Sequence, residues 1–322
     1  NKSAFINLNI GDIEIGEWRI NGLSSTIKSS TENLSISAKV ANVSMPTFGN
    51  MGSINISNYL SCNIMDTNID WDNIAASNSG GTLSALTEFG KDGKQTFATI
   101  SFDESDVILK GDVWTLRKSL FEIGHNYFNV SNFRFDKDDR YITANGRTSE
   151  QLTDTLTLAI NRITIEDILP PDPYERYSLG GDINAMIHMV QIYKEPIINC
   201  RANIDRFSVD EDNLEHLNLL TQWSAESKTL GVDVGIVTGG KLRAHGIGNI
   251  DSDNNYMEIN FDIDSLSLGW LNFYLNKSVS NVRGSTSGKL QLHGPLNNIG
   301  LDARLAAHRT DFRVKSTLTD YY

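Results

Sequence analysis

The sequence predicts an all-β protein built from antiparallel strands, and three observations support this fold class. Apolar and polar residues alternate with a period of two along most of the chain, turn-forming residues separate the alternating runs, and only 6 of the 322 residues are proline. Successive side chains of a strand point to opposite faces, so each run has one apolar and one wet face. Strands that are buried on both faces, as in parallel sheets, would give continuous apolar stretches instead.

The clearest alternating run is 257–263, in which four apolar residues are separated by Glu258, Asn260 and Asp262. Runs of the same kind occur at 156–160, 198–204 and 288–294. Each predicts a strand with one buried face. The side chains expected on the apolar faces of these four strands are Leu156, Leu158, Ile160, Ile198, Ala202, Ile204, Met257, Ile259, Phe261, Ile263, Leu290 and Leu292.

Residues that favour turns follow one another at intervals of ten to fifteen positions or so, and at about one strand per 13 residues the chain holds roughly 25 strands. Asn-Gly and Asp-Gly pairs supply the positive φ angles that tight hairpins require. The predicted turns are Gly11-Asp12, Asn21-Gly22, Asp92-Gly93, Gly111-Asp112, Asp136–Asp139, Asn145-Gly146, Gly239-Gly240 and Asp251–Asn255.

Two segments depart from the strand pattern. Leu268, Leu271 and Leu275 have helical spacing, which predicts a short helix or helical turn over 266–275. Pro170, Pro171 and Pro173 cannot continue a strand and indicate a loop. The fold therefore contains at most one or two short helices.

Weak internal repetition favours one elongated segment over 1–322, with loose sub-units of about 1–110, 111–172 and 173–322. Gly80-Gly81 after Asp70-Trp71 is echoed by Gly239-Gly240 after Gln222-Trp223. We interpret the segment as a piece of a longer protein. Two architectures cover so many one-sided strands: a closed sandwich or barrel, and one long antiparallel sheet that curls into a trough with an apolar inner face.

Charge and composition exclude several function classes. A net charge of -12 argues against binding to nucleic acid or to an anionic membrane surface. The hydrophobic fraction of 39% is too high for a disordered chain, and no apolar run is long enough for a membrane-spanning helix.

No motif indicates catalysis, a cofactor or a metal. The six histidines lack zinc-ligand spacing, and Cys62 and Cys200 are too few for a disulfide framework. The segment 284–288 resembles a nucleophile elbow only superficially, since Thr286 occupies its centre and a strand follows. Asp251 and Asp253 belong to an acidic stretch that lacks the glycine of a calcium-binding loop, which favours a solvated hairpin turn.

Several short motifs, in their order along the chain, resemble one known family. They are Trp114–Arg117, Phe128–Phe133, Tyr141–Arg147, Asp154–Leu158 and Val282–Gly294. From about residue 60 onward the chain resembles the middle-to-C-terminal region of the TamB family of translocation and assembly module proteins, in its Bacteroidetes-like form.

The resemblance implies a β-taco, which is a long curled sheet with a greasy groove that crosses the periplasm. It also implies an inner-membrane anchor and a contact with a BamA-type outer-membrane barrel, both through regions outside this segment. The twelve apolar side chains named above would line the groove and carry the acyl chains of phospholipids. The expected function is therefore non-enzymatic lipid transport that supports outer-membrane biogenesis.

Two other functions remain open from the residues themselves. One is a surface-exposed β-solenoid or sandwich that binds glycan or acts as an adhesin, with a sealed core and exposed aromatic side chains. The other is a β-helical polysaccharide lyase or hydrolase, which would show a cleft with converging acids.

Overall fold

The computed structural model describes residues 3–16, 18–45, 49–73, 78–168, 178–210, 212–269, 272 and 278–321. Strands account for 79% of the chain and helices for 1%, which confirms the predicted all-β class. The described residues form 22 strands in one antiparallel sheet. Contacts divide the chain into two units, Asn1–Leu158 and Ala159–Tyr322.

The first unit contains twelve strands and the beginning of a thirteenth, most of them with the predicted alternation. They are β1 Ala4–Ile15, β2 Trp18–Ser29, β3 Asn33–Met45, β4 Gly49–Ser61, β5 Ile64–Asn73, β6 Ser79–Asp92, β7 Gln95–Phe102, β8 Ser105–Leu109, β9 Asp112–Leu116, β10 Ser119–Ile123, β11 Phe128–Lys137, β12 Arg140–Thr148 and β13 Thr155–Thr164.

Strands β1 to β7 pair in chain order, and two short pairs of strands then share the space between β6 and β11. The C-terminal half of β6 pairs with β7, and β7 in turn pairs with β10. At the N-terminal end of β6, Gly80 and Gly81 pair with β8. In the same way β11 pairs with β10 along one half and with β9 at Phe135 and Asp136. The half-length strands therefore continue the ladder without a gap in either half.

The second unit begins within β13 and continues with one short helix and nine strands. The helix is α1 Ile165–Ile168, and the strands are β14 Leu179–Val190, β15 Ile197–Val209, β16 Asp212–Ser224, β17 Thr229–Thr238, β18 Lys241–Asp251, β19 Tyr256–Ser267, β20 Val279–Pro295, β21 Gly300–Val314 and β22 Thr319–Tyr321. From β14 to β22 each strand pairs with the next in the chain.

The sheet of the second unit curls strongly at the end where β16 begins and β19 ends. The Ser267 hydroxyl donates a hydrogen bond of 2.9 Å to Oδ1 of Asp212, although these residues lie three strands apart. In a flat sheet that separation would be about 14 Å. The curl buries a core at this end, and its members include Phe207, Leu214 and Leu266.

Single-residue bulges keep apolar side chains on one face where the alternation slips. Between Val130 and Phe133 the register shifts, and Asn132 adopts a positive φ of 58°. An extra residue in one strand turns the following side chain back to the original face. Arg162, Arg206, Ser265 and Asn281 also have positive φ angles. Like Asn132, each of them lies between two apolar residues that are three positions apart in the sequence.

Three of the predicted turns are wrong, because Gly11-Asp12, Asn21-Gly22 and Asn145-Gly146 lie inside strands. Gly22 and Gly146 do use a positive φ, but they use it within the strand. At Gly146 a Cβ atom would lie 2.2 Å from the carbonyl oxygen of Thr155, so the backbones approach too closely for any side chain. The remaining predicted turns lie at connections between strands.

The short helix or helical turn predicted over 266–275 is wrong in its first part, since Leu266 and Ser267 belong to β19. A turn follows, in which the Asn272 N–H donates to the carbonyl of Gly269 at 3.0 Å. Leu271, Leu275 and the predicted proline loop at 170–173 lie outside the described residues. Within the part of the chain that the structure covers, no helix has the length and apolarity needed to cross a membrane.

Candidate functional site

One face of the second unit is apolar across seven neighbouring strands, β15 to β21. The register aligns side chains in rows that run perpendicular to the strands, and successive rows lie on the same face. Three such rows are Ile204, Leu217, Ile236, Ala244, Ile263, Gly288 and Leu305; Ala202, Leu219, Val234, Gly246, Phe261, Leu290 and Ala303; and Cys200, Thr221, Val232, Gly248, Ile259, Leu292 and Leu301.

This apolar face brings together most of the side chains that the sequence singled out. Five of them are buried, with exposed fractions of 7–9%: Ala202, Met257, Ile259, Ile263 and Leu290. Four more are half-buried on the same face: Ile198, Ile204, Phe261 and Leu292.

The other three predicted side chains lie on β13. Leu156 is buried, with an exposed fraction of 4%, whereas Leu158 and Ile160 are half-buried. Their predicted role in a groove stays a prediction.

Strands β16 and β17 contribute lining residues that the sequence analysis did not select. Val232 and Val234 are buried in one cluster with Met257 and Ile259, and Leu219 packs against it. The signal was present in the sequence, because Val232 and Val234 alternate with polar Asp233. Gly246 and Gly248 have no such signal, since glycine carries no side chain that marks a face.

A thiol and a hydroxyl interrupt the apolar rows at one point. Cys200 and Thr221 are neighbours on β15 and β16, and their side chains share a hydrogen bond. Burial raises the pKa of the Cys200 thiol above its ordinary value, which keeps the group neutral. A neutral thiol packs as a small hydrophobe, so the face stays uncharged here.

The first unit also has one apolar face, and this face is less covered. Its rows include Ser25, Ala38, Ile56, Ile69 and Leu83, and Leu23, Val40, Ile54, Trp71 and Gly81. Among these, Val40 and Trp71 are buried, whereas Ile54, Ile56 and Ile69 are half-buried. The face therefore keeps apolar surface in contact with water across β2 to β6.

Aromatic side chains extend this face onto the half-length strands. The ring of Phe121 lies 5.4 Å from Phe102, 6.0 Å from Phe128 and 5.8 Å from Phe133, measured between ring centroids. Trp114 is buried and stacks on Phe135 at 5.2 Å. Such pairs add to the stability that area burial supplies.

The opposite faces of both units are polar and carry hydrogen bonds between side chains of neighbouring strands. His216 lies 2.9 Å from Asp205, and His245 lies 2.8 Å from Asp233. Asn55 donates to Asp70 at 2.7 Å on the first unit. The two faces of the sheet thus differ in chemistry, as the alternation predicted.

Thr286 and Asp251, which belong to two motifs considered in the sequence, form structural hydrogen bonds. Thr286 is fully buried in β20, and its hydroxyl donates to the carbonyl of Ala306 at 3.1 Å. Asp251 accepts hydrogen bonds from the backbone N–H groups of Asp253 and Asn254, so its carboxylate organises a hairpin turn. Among the described residues, no three His, Cys, Asp or Glu side chains are placed to hold a metal ion.

Comparison of the chain with models of protein families, with curated proteins and with solved structures finds no match.

Proposed function

We propose that the chain is a non-enzymatic lipid-conduit segment of a TamB-like periplasmic protein, and that its apolar face carries phospholipid acyl chains. The observation that carries this proposal is the apolar face of the first unit, whose Ile54, Ile56 and Ile69 side chains are only half-buried. A continuous apolar face that stays partly in contact with water is typical of a surface that binds an apolar partner.

The chemistry of the face suits an acyl chain. The rows named above consist of aliphatic and aromatic side chains with glycine between them. Their polar side chains are the uncharged Ser25 in the first unit and the uncharged Cys200 and Thr221 in the second. Each methylene that leaves water for such a surface contributes about 0.8 kcal/mol. Because the rows repeat at each strand, successive positions offer similar binding energy, and a lipid can move between them without a deep trap.

The polar opposite face supports the same assignment, because lipid would bind on one side of the sheet only. In this proposal the headgroup keeps its hydration at the edge of the apolar face. The segment supports phospholipid transport and outer-membrane biogenesis, with a BamA-type barrel as the partner of regions outside it.

The proposal is tested with a fluorescent fatty-acid probe and with vesicles of phosphatidylethanolamine and phosphatidylglycerol. The informative variant is Ile56→Asp, which places a charge in the middle of the half-buried face, where an unpaired ion is costly to cover with lipid. The matched control is Ser57→Asp, because Ser57 is exposed on the opposite face of the same strand.

The wild type and Ser57→Asp should bind the probe and take up phospholipid, whereas Ile56→Asp should lose most of the uptake while it keeps its circular dichroism spectrum. Wild-type protein that is folded and takes up neither probe nor phospholipid contradicts the proposal. In that event, binding of oligosaccharides on a glycan array would favour the adhesin.

A further inference from the structure

The polar face of the second unit contains a cluster of exposed apolar side chains that lipid transport does not use. Met186, Leu220 and Ile247 have exposed fractions of 47%, 45% and 57% on β14, β16 and β18. They lie in one row, with Arg201 between the first two and Asp233 between the last two. The row therefore has the order apolar, basic, apolar, acidic, apolar.

This order is self-complementary about its centre, Leu220. Consider a twofold axis that is parallel to the strands and lies above Leu220. It generates a second copy whose polar face packs against the polar face of the first, and in which the row runs in the opposite direction. Arg201 of one copy then lies opposite Asp233 of the other, and Met186 lies opposite Ile247. The ion pair between Arg201 and Asp233 therefore forms twice, because the contact is the same from either copy.

The shape of the surface has the same symmetry. On the polar face, β17 presents Gly231, Asp233 and Gly235. Because glycine has no side chain, the surface of this strand is recessed on both sides of the Asp233 carboxylate. The operation that pairs Arg201 with Asp233 places Asn199 over Gly231 and Asn203 over Gly235. The three outward side chains of β15 thus fit the low strip of β17 in a second copy.

The strip of β17 forms part of a depression of about 610 Å³ on this face. On this face the depression is lined by two neighbouring rows. One is the row already described, and the other consists of His188, Asn199, Gln222, Gly231 and Asn249. We infer that the depression is a docking surface for a second copy of this chain, and that β15 of each copy seats on β17 of the other.

The neighbouring charges on this face are compatible with that contact. Asp233 already lies 2.8 Å from Nε2 of His245, and Asn203 donates to Asp205 at 3.0 Å. A carboxylate has several acceptor positions, so Asp233 can accept from Arg201 of the second copy as well as from His245. Among the described residues, Arg201 forms no ion pair within its own copy.

The size of the surface is typical of a weak, reversible dimer. Five strands span about 24 Å across, and five to seven residues along them span about 17 to 24 Å. This area lies at the lower end of specific interfaces, so the dimer should be concentration-dependent and dissociate in the micromolar range. The contact leaves the apolar face free.

The decisive experiment is a charge exchange followed by sedimentation velocity of the full chain. Arg201→Glu sets a carboxylate against Asp233 of the other copy and should weaken the dimer about tenfold or more. Asp233→Arg should weaken it similarly, and the double variant should restore the wild-type dimer because the pairs re-form with exchanged signs. Arg304→Glu, an equal change of charge at an exposed position outside the patch, is the matched control.

A second measurement uses a bismaleimide that spans about 10 Å, the separation of packed sheets. In a Cys62→Ser background, Leu220→Cys lies on the twofold axis and should cross-link to its own copy, whereas Ile247→Cys should not, since two such residues lie about 19 Å apart or more. A wild type that stays monomeric up to about 100 μM overturns the inference. So does a double charge variant that remains as weak as the single variants, or equal cross-linking at the two positions.

Discussion

The phenyl ring of Phe261 covers Gly246 on the neighbouring strand. A Cβ atom at Gly246 would lie 2.5 Å from Cε1 of the ring, so the absence of a side chain at position 246 is what allows the ring to lie flat on the sheet. Cross-strand pairing of an aromatic residue with glycine protects the exposed glycine backbone and smooths the apolar face.

Gly246→Ala should therefore destabilise the protein by about 1 to 3 kcal/mol, because the new methyl group displaces the ring. The cost should shrink in a Phe261→Ala background, where no ring occupies the space. Urea unfolding of the two single variants and the double variant measures the coupling free energy. Costs that simply add would show that the ring and the glycine are independent.

Ile259 and Phe261 share a strand and a face but should respond differently to a charge. Ile259 is buried, with an exposed fraction of 7%, and Phe261 is half-buried. Ile259→Asp should lower the free energy of unfolding by several kcal/mol, because it buries an unpaired carboxylate. Phe261→Asp should cost less, since water reaches its position.

The intervening Asn260 is exposed on the opposite face, and Asn260→Asp provides the control that should leave the melting temperature nearly unchanged. Thermal unfolding of the three variants decides between a covered core and an open groove at this strand. Equal and complete loss of folding for Ile259→Asp and Phe261→Asp would mean that the whole strand is sealed from water.

The bulge in β11 depends on a side chain of the next strand. The Asn132 N–H donates to Oδ1 of Asn145 at 2.7 Å, in place of the ladder hydrogen bond that the bulge breaks. Asn145→Ala should cost about 0.5 to 1.5 kcal/mol in urea unfolding, whereas Asn145→Asp keeps the acceptor oxygen and should cost less. A larger loss for Asn145→Asp than for Asn145→Ala would show that the oxygen is not what stabilises the bulge.

Asp136 should couple stability to acid. Arg117 donates to both carboxylate oxygens of Asp136, at 3.0 and 3.1 Å, and these hydrogen bonds lower the pKa of Asp136 below its ordinary value of 3.8. A carboxylate whose pKa is lowered by folding contributes stability that is complete above the ordinary pKa and declines as pH falls through the folded-state value.

The Nε of Arg134 also donates to Oδ1 of Asp136, at 3.1 Å. Asp136→Asn should therefore cost about 1 to 3 kcal/mol near neutral pH, because Arg117 and Arg134 both lose a charged partner. As the pH falls below the ordinary pKa of 3.8, the wild type should lose more stability than the variant, so the difference between their free energies of unfolding should shrink on acidification. Urea titrations at several pH values measure this. A difference that stays constant on acidification would show that the pair contributes nothing to the acid sensitivity.

The alternation of apolar and polar residues predicted the fold class, because consecutive residues of a strand lie on opposite faces of the sheet. The alternation at 257–263 needs no tertiary context to place Ile259 and Asn260 on opposite faces. Glycine was ambiguous for a physical reason: a positive φ serves a hairpin turn at Gly239 but a kink inside a strand at Gly22 and Gly146. The sequence alone does not distinguish a glycine in a hairpin turn from a glycine inside a strand. The two differ only in which other segments the flanking residues pair with.

The pairing of the short strands was likewise beyond the sequence. Strands β7 and β10 fill one half of the space between β6 and β11, and β8 and β9 pair with the other halves of those strands. In the sequence, each of these short segments resembles an ordinary strand. Two of them can lie end to end beside β6 or β11 only because β6 and β11 are long enough to pair with both.

The sequence by itself determined that this chain is an antiparallel all-β protein and which side chains of each strand share a face, because those properties depend on neighbours one or two residues away. The tertiary structure decided how deeply each apolar side chain is covered. Asp212 meets Ser267 only because the sheet curls across four strands, and that curl buries Leu214 and Leu266. It also decided that Arg201, Leu220 and Asp233 stand in one row, since register is set by pairing between segments that are distant in the chain.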